Sequence, residues 1–343
     1  MLKDKEVKEI RKHLERAQNP VFFYDTDADG LSSFLLLSRW IERGKGVITR
    51  NPRESTEAYL KKVDELGADY VFVLDTPQIT PEFVKGVEEK NISIVIIDHH
   101  DVEKIDTEFY YNTVHSSGKN EPVSYLCYKI AGQKKDLWIS ALGTISDCHM
   151  PDFFEEFAKE NPDLVDCEYK SAFDVRYKCK LGKLIDIFNY GLKDSLTNVV
   201  KMSNFLLDVN SYTEILEENS KTHSFLSKYN EINDVVEKLI LKAEQKIEGN
   251  LLFFTYGGSM SVSQQLSDKL SYRHPDLIVV VGYRKPGIIK VSMRWSGDIR
   301  KITLGAIGKI PGATGGGHEH ATGAQIPDDH FDEFKEFMIE ASK

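Results

Sequence analysis

The sequence lacks long apolar runs, and no stretch of its 343 residues approaches the roughly 20 residues that a membrane-spanning helix needs. The opening residues, MLKDKEVKEIRKHLER, have the pattern of a charged amphipathic helix and not the apolar core of a signal peptide. We therefore expect a cytoplasmic protein that has no membrane partner.

Cysteine is also scarce, with four residues in the chain and no CxxC pair. They stand at Cys127, Cys148, Cys167 and Cys179. This spacing favours neither a disulfide framework nor a zinc site. We predict four free thiols, as is usual in a reducing compartment.

Basic residues are outnumbered, and the net charge of −10 argues against a protein with a generally basic, nucleic-acid-coating surface. The charge is uneven, however: residues 251–326 contain nine Lys or Arg and four acids, so they carry +5 and the rest carries −15. A basic module beside an acidic one fits an anionic ligand that one module holds and the other acts on. Ordinary surface variation explains the charge pattern equally well.

Short apolar segments alternate with helical patterns over the first half of the chain. This alternation predicts a mostly parallel, doubly wound α/β sheet. From 155 to 248 the strand signals fade and helical periodicity dominates. We predict a catalytic domain over 1–190, a helical connector over 191–249 and a smaller α/β domain over 250–343. The segments predicted as strands in the first domain are 21–24, 47–49, 70–74, 92–97 and 137–145.

Acidic side chains follow these predicted strands where the strands end, although an aspartate in such a place ordinarily just caps the next helix. The residues concerned are Asp25, Asp27, Asp29, Asp75, Asp98 with His99 and His100, and Asp147. Because parallel strands end at one edge of a sheet, the carboxylates are expected to cluster, and they would repel one another without a counter-charge. Two divalent cations would supply that charge, with Mn²⁺ suited better than Zn²⁺ and Mg²⁺ as an alternative. The residues thus predict metal-assisted hydrolysis of a phosphate ester.

Five motifs resemble those of one family. DTDADG (25–30), LDTP (74–77), DHH (98–100) and SDCH (146–149) are similar to motifs I to IV of the DHH phosphoesterase superfamily. GGGHEHATGA (315–324) resembles the glycine–histidine signature of its DHHA1 domain. The DxDADG form resembles the RecJ-like exonuclease branch, because Val21 stands where the pyrophosphatase and small-oligonucleotide branches have histidine. The archaeal RecJ-like nucleases and the short DHH-DHHA1 oligonucleotidases are both close in pattern.

The resemblance implies roles for individual residues. Metal ligands would be Asp25, Asp27, Asp75, His99 and Asp147, with Asp75 bridging two ions. Catalytic residues would be His100, facing the scissile phosphate, and Asp98, which we expect to orient His99 through its second ring nitrogen. Substrate-binding residues would be Arg294, the amides of Gly315, Gly316 and Gly317 in a glycine-rich turn, and His318. The resemblance places Asp29 behind the ligands or in the turn, and Asn112 is either a turn residue or a substrate contact.

We therefore expect an exonuclease that hydrolyses single-stranded DNA or RNA from an end. One alternative is a phosphodiesterase acting on very short oligonucleotides or on the products of cyclic dinucleotides. Another is a replication-associated scaffold with little activity, against which the intact ligand set argues. A replication or repair protein is a further partner that the resemblance implies, and the oligomeric state is left open.

Overall fold

The computed structural model describes residues 2–50, 56–77 and 79–343. The chain divides into two compact units, Met1–Tyr229 and Asn230–Lys343. The finer division into a domain over 1–190, a connector over 191–249 and a domain over 250–343 stays a proposal.

The described part of the first unit is built on a five-stranded sheet with the order β2-β1-β3-β4-β5. Every pair of neighbouring strands in it is parallel, which confirms the predicted doubly wound α/β class. The strands are β1 (Pro20–Asp25), β2 (Lys45–Thr49), β3 (Tyr70–Leu74), β4 (Ser93–Asp98) and β5 (Phe109–Asn112).

Helices cover both faces of this sheet because the side chains of each central strand alternate between two apolar cores. Phe22 and Phe72 pack into the core with α2, whereas Val21 and Phe23 pack into the core with α3 and α4. The described helices of the first unit are α1 (Asp4–Arg16), α2 (Ala28–Ile41), α3 (Thr56–Glu65), α4 (Pro81–Glu88), α5 (Thr113–Ser117), α6 (Val123–Ala131), α7 (Leu137–Ser146), α8 (Phe154–Glu160), α9 (Ala172–Lys178), α10 (Leu181–Gly191), α11 (Leu196–Asp208) and α12 (Tyr212–Leu216), with a 3₁₀ turn at Lys134–Asp136. Helix α13 (His223–Glu244) begins in the first unit and continues into the second. Within the part of the chain that the structure describes, no helix combines the length and the apolar character needed to cross a lipid bilayer.

The segment 137–145 was predicted as a strand, and this prediction is wrong. It lies in α7 (Leu137–Ser146), whose first nine residues are all buried. A helix buried on every side has no polar face, so its sequence shows the same continuous apolar run as a buried strand. Asp147 therefore follows a helix and not a strand, while the short edge strand β5 was not predicted.

The prediction of four free thiols is wrong for two of them. Cys167 and Cys179 form a disulfide with an S–S distance of 2.04 Å. Cys127 and Cys148 are free. The pairing joins the segment after α8 to the end of α9, and such proximity depends on how these helices turn back, which cysteine spacing does not encode.

The second unit is a mixed six-stranded sheet in its described residues, with the order β10-β11-β9-β8-β7-β6. The strands β7 and β8 are parallel and the other neighbours are antiparallel. Val280, Met293 and Phe334 lie in one core between the sheet and its helices. The elements are β6 (Ile247–Glu248), β7 (Leu251–Tyr256), α14 (Ser263–Arg273), β8 (Ile278–Lys285), β9 (Ile288–Arg294), α15 (Ile299–Ile307), β10 (Thr314–Gly317), β11 (Ala321–Pro327) and α16 (Phe331–Ala341), with a 3₁₀ turn at Asp328–His330.

The glycine cluster differs from the expected turn, because residues 314–317 form the edge strand β10. Gly315 pairs with Ala324, and a Cβ on Gly315 would lie 2.6 Å from the carbonyl oxygen of Gly323. Glycine is therefore required here by the close approach of the two strands.

Candidate metal centre

The acidic residues of the first unit meet at the carboxyl edge of its parallel sheet. Asp25 ends β1 and Asp98 ends β4, and Asp75 directly follows β3, which lies between them in the sheet. Adjacent parallel strands end side by side, so these carboxylates share one edge. Asp147 arrives at the same place from the end of α7.

His99 lies at the centre of this group. Its Nε2 is 3.1 Å from Asp75 Oδ1 and 3.5 Å from Asp147 Oδ2. Burial, followed by the neighbouring His100, lowers the pKa of His99 to about 4, so its ring is neutral at physiological pH. Because Nδ1 faces the amide oxygen of Asn120, which only accepts, Nδ1 carries the proton and its N–H donates a hydrogen bond to Asn120. The lone pair of Nε2 thus points at two carboxylates, an arrangement that a shared cation would stabilise.

Asp75 is held in a backbone conformation that is unusual for a residue with a side chain. Its φ is +56°, in the left-handed region, and its backbone N–H donates to the carbonyl of Ile97 at 3.0 Å. The residue is only 1% exposed, yet both of its carboxylate oxygens and Nε2 of His99 have no hydrogen-bond partner among the described residues. Burial, followed by Asp27 and Asp29, raises the pKa of Asp75 well above its usual value. Buried polar atoms without partners are costly, and these three are ligand atoms that fit a divalent cation.

Asp25 and Asp27 lie where β1 passes into α2. Asp27 caps the helix by accepting a hydrogen bond from the N–H of Gly30 at 2.9 Å. Burial and the charge of Asp27 raise the pKa of Asp25 to about 7. A Cβ on Gly30 would lie 2.8 Å from the backbone N and O of Asp25, so only glycine lets the helix begin this close to the strand.

Asp147 is the C-cap residue of α7, and its side chain is 29% exposed. The carbonyl end of a helix carries partial negative charge, which disfavours a carboxylate there. Desolvation, followed by Asp29 and Asp27, raises the pKa of Asp147 well above its usual value. A cation in front of Asp147 would offset both effects.

Asp29 is fully buried and accepts hydrogen bonds from the start of α6. The donors are the N–H of Val123 at 2.7 Å, the N–H of Ser124 at 3.1 Å and the hydroxyl of Ser124. Burial and Asp27 raise the pKa of Asp29 to about 7. Its carboxylate therefore anchors α6 behind the cluster.

His100 points to the more open side of the centre and is bonded to Asp98. Its Nδ1 lies 2.9 Å from Asp98 Oδ1 and 3.7 Å from Asp75 Oδ1, and its side chain is 29% exposed. Burial alone would lower the pKa of His100, but the hydrogen bond and charge of Asp98, with Asp27 and Asp25, raise it. The expectation that Asp98 orients His99 is wrong, because Asp98 holds His100 and the second nitrogen of His99 contacts Asn120.

Two asparagines support the histidines, and sequence reasoning identified neither role. The amide nitrogen of Asn112 donates to the carbonyl of His100 at 2.9 Å, while its amide oxygen caps α5. Asn112 is thus a capping residue of α5 that also fixes the DHH segment. Asn120 lies 21 residues after His99 in a loop, and no motif or periodicity marks it.

The predicted substrate residues of the second unit lie around the start of β11, where Ala321 pairs with Arg294 on one side and Thr322 pairs with Gly317 on the other. Arg294 ends β9, and its Nε donates to Asp268 Oδ1 at 2.6 Å. His318 is exposed at the turn between β10 and β11, where its N–H donates to the carbonyl of Ala321 at 2.8 Å. In the antiparallel register that continues from this pair, the N–H groups of Gly315 and Gly317 point to the free edge of the sheet, and that of Gly316 points to β11.

The structure therefore brings candidate metal ligands together. Among the residues that the structure describes, two groups have ligand atoms within 4.8 Å of one another, and they share His99: one consists of Asp75, His99 and His100, and the other of Asp29, His99 and Asp147. The donors are carboxylate oxygens and imidazole nitrogens, which fit a divalent cation such as Mn²⁺.

Residues 21–144 match the DHH family, N-terminal domain, and residues 248–343 match the DHHA1 domain. The chain belongs to the DHH/DHHA1 phosphoesterase superfamily. The DHH match contains the candidate ligands from the first three motifs, while Asp147 lies just beyond its end. A search of curated proteins found no match.

Solved structures share this RecJ-like fold at low sequence identity. RecJ from Thermus thermophilus, in complex with Mn²⁺, is 15% identical, with a TM-score of 0.69 over 99% of this chain and 55% of that one. The same protein is also known with Mg²⁺. An exonuclease RecJ bound to manganese has a TM-score of 0.66 at 15% identity, over 98% of this chain and 94% of that one. The pGpG-specific phosphodiesterase PggH from Vibrio cholerae has a TM-score of 0.56 at 13% identity, over 95% and 100%. The chain thus spans about half the length of the Thermus RecJ, 55%.

Proposed function

We propose that this protein is a metal-dependent phosphodiesterase that hydrolyses single-stranded DNA or RNA from an end. The observation that carries the proposal is the set of buried ligand atoms without partners, namely both carboxylate oxygens of Asp75 and Nε2 of His99. These atoms lie among further aspartates whose pKa values are raised. Such a cluster is stable as a set of anions only when cations neutralise it.

The first unit, which contains the DHH match, would hold two divalent cations, with Mn²⁺ preferred and Mg²⁺ as the alternative. Asp25, Asp27, Asp75, His99 and Asp147 would be the ligands, and Asp75 would contact both ions. When bound, the ions polarise phosphoryl oxygens and make water more acidic. Asn120 keeps the proton of His99 on Nδ1, so that Nε2 is free to bind metal.

His100 would act on the phosphate itself. Asp98 accepts from its Nδ1 and favours the protonated ring, which leaves Nε2–H as a donor on the more open side. A protonated imidazole in that place can donate a hydrogen bond to a phosphate oxygen and then transfer its proton to the leaving oxygen.

The second unit, which contains the DHHA1 match, would bind the phosphates or the terminus of the substrate. Arg294 has a guanidinium suited to phosphate, although its Nε donates to Asp268 and its Nη1 donates to the carbonyls of Met293 and Thr322. The outward N–H groups of Gly315 and Gly317 offer two further donors at the free sheet edge. His318 stands beside them at the turn.

The test is nuclease activity of Asp75→Ala and of His99→Ala with Mn²⁺. We expect each to lower the rate by more than about a thousandfold, because a ligand is lost from a site on which the chemistry depends. Asp64→Asn is a matched control, since it removes an exposed carboxylate of α3 that pairs with Lys90 at 3.0 Å and belongs to none of the motifs. Wild-type activity in Asp75→Ala would contradict the proposal.

A second candidate is a phosphodiesterase for very short oligonucleotides. The observation that favours it is the alignment with the whole length, 100%, of the pGpG-specific enzyme. End-labelled DNA and RNA of graded length, incubated with Mn²⁺, separate the two candidates and also report polarity and sugar preference. Activity that collapses beyond about five nucleotides favours the short-substrate enzyme, because no groove then stacks further bases.

A further inference from the structure

Helix α1 carries a row of positively charged side chains. It belongs to the same unit as the acidic cluster at the carboxyl edge of the sheet. Lys5, Lys8, Lys12 and Arg16 are all exposed. At 100° per residue they fall within about 80° of the helix circumference, so they form one face, which we call the basic face. Successive charges are about 4.5–6 Å apart along the helix axis, from a rise of 1.5 Å per residue.

The side chains of the basic face form no ion pair or hydrogen bond with any residue that the structure describes. Three other exposed lysines of the unit, by contrast, are paired with a carboxylate of their own helix. Lys61 and Lys62 pair with Glu65, and Lys85 pairs with Glu89. The charge of the basic face is therefore available to an external anion.

A depression of ≈ 570 Å³ lies against the basic face, and its lining includes two aromatic rings. The ring of His13 packs on Phe109 with centroids 4.2 Å apart, and Phe109 remains partly exposed. Glu9 and Glu108 also line the depression, so its four cations exceed its acids by two. Proteins bind single-stranded nucleic acid with this combination, in which cations contact the phosphates and aromatic rings at the bottom of the depression (the aromatic floor) stack on bases.

The depression lies at the opposite edge of the sheet from the metal centre. The ring of His13 is 5.9 Å from that of Tyr70, the first residue of β3, and 4.2 Å from that of Phe109, the first residue of β5. Asp75 follows the other end of β3. The length of β3, about 16 Å at 3.3 Å per residue, separates the two places, so the basic face is not part of the catalytic site.

We propose that the basic face is a second nucleic-acid site, which binds the phosphates of a single strand away from the end that is processed, with a base stacked on Phe109. The choice of nucleic acid rests on the proposed function, and it is supported by the aromatic floor, which an acidic peptide would not require. A nucleic-acid strand that runs along the edge strand β5 would reach from the metal centre to α1, so the site would act on long substrates and not on short ones.

The test compares two triple variants that remove the same charge. Lys5→Ala/Lys8→Ala/Lys12→Ala removes three cations from the basic face, and Lys61→Ala/Lys62→Ala/Lys85→Ala removes three paired lysines elsewhere. Binding of fluorescent oligothymidylates of about five and about thirty nucleotides is measured by anisotropy in EDTA, so that no cleavage occurs. For the long strand, the plot of log K against log[salt] should become less steep by about 2 in the first variant. Each phosphate contact with a single strand contributes about 0.7 to the steepness of this plot, and the variant loses three contacts. The short strand should bind with the same affinity to the wild type and to both triple variants. The Lys61/Lys62/Lys85 variant should bind both strands as the wild type does.

Three results would overturn the inference: equal losses in the two triple variants, equal weakening of the long and short strands, or displacement of the long strand by polyglutamate at matched charge. Thermal unfolding of each variant verifies that α1 is intact. Since the assay measures binding without turnover, an absence of nuclease activity in the wild type would refute the proposed function and leave this result standing.

Discussion

Removal of divalent cations should make the first unit less stable as the pH rises from about 5 to about 8. The reason is that Asp29, which is 0% exposed, has its pKa raised from 3.8 to about 7 by burial and by Asp27. In this range the folded protein holds a proton that the unfolded chain has released. The stabilisation is therefore fully present below pH 4 and is lost as the pH rises through the folded pKa, about 7.

The size of the effect follows from the shift. Each pKa unit is worth about 1.4 kcal/mol, so raising the pKa of Asp29 from 3.8 to about 7 corresponds to about 4 kcal/mol in all, of which about 2.6 kcal/mol is lost between pH 5 and pH 8. The pKa of Asp25 is raised over the same interval, and since the two groups titrate together the contributions do not simply add. A loss of about 2.6 kcal/mol is a large part of the 5–15 kcal/mol that stabilises a typical domain.

The assay is thermal unfolding at several pH values, with EDTA and with Mn²⁺. In EDTA the melting temperature of the first unit should fall between pH 5 and pH 8, because the raised pKa values of several buried carboxyl groups together outweigh the lowered pKa of His99, which acts in the opposite direction up to about pH 6.5. With Mn²⁺ the ionised carboxylates bind the cation, and at a hundred times the dissociation constant this adds about 2.7 kcal/mol at pH 8. In Asp75→Asn the pH dependence in EDTA should be weaker, because a charge next to the titrating groups is gone. A metal-free melting temperature that is constant or rises over this range would refute the reasoning.

Three further predictions follow from single contacts. Asn120→Ala should weaken metal binding by about 10- to 100-fold in calorimetry, since His99 loses the partner that sets its tautomer, and an unchanged affinity would show that Asn120 has no such role. Gly30→Ala should lower both metal affinity and melting temperature, because a Cβ 2.8 Å from the backbone of Asp25 displaces that proposed ligand; a wild-type melting curve would contradict this. Arg294→Ala should raise KM for an oligonucleotide by about 10- to 100-fold while metal affinity, measured in parallel, stays constant, as expected for one charged hydrogen bond.

The parallel sheet could be predicted because its strands carry their own signals. The segments of β1, β3 and β4 are short, apolar on both faces and separated by helical patterns, so their burial is encoded locally. Their ends bear Asp25, Asp75 and Asp98, and the rule that parallel strands end together brings these residues to one edge without any coordinates.

The segment 137–145 shows where local pattern stops being informative. Its residues are buried on all sides, so hydrophobic periodicity is absent and helix and strand are equally consistent with it. Only its packing against the neighbouring helices α2 and α6 decides for a helix. The prediction that Asp147 lies with the other acids does not depend on this error, since the end of α7 reaches the same edge.

The sequence by itself determined the superfamily and the candidate metal ligands of this protein, because its motifs place carboxylate and imidazole side chains at the ends of predicted strands. The tertiary structure alone decided how those groups are held. Asn120 rather than Asp98 contacts His99, Asp98 holds His100, and the backbone of Asp75 takes a positive φ. These are contacts between residues that are far apart in the chain or that rotate about single bonds, and neither residue type nor spacing constrains them. The same holds for the basic face of α1, whose charges are visible in the sequence but whose position against Phe109 and away from the metal centre comes from packing.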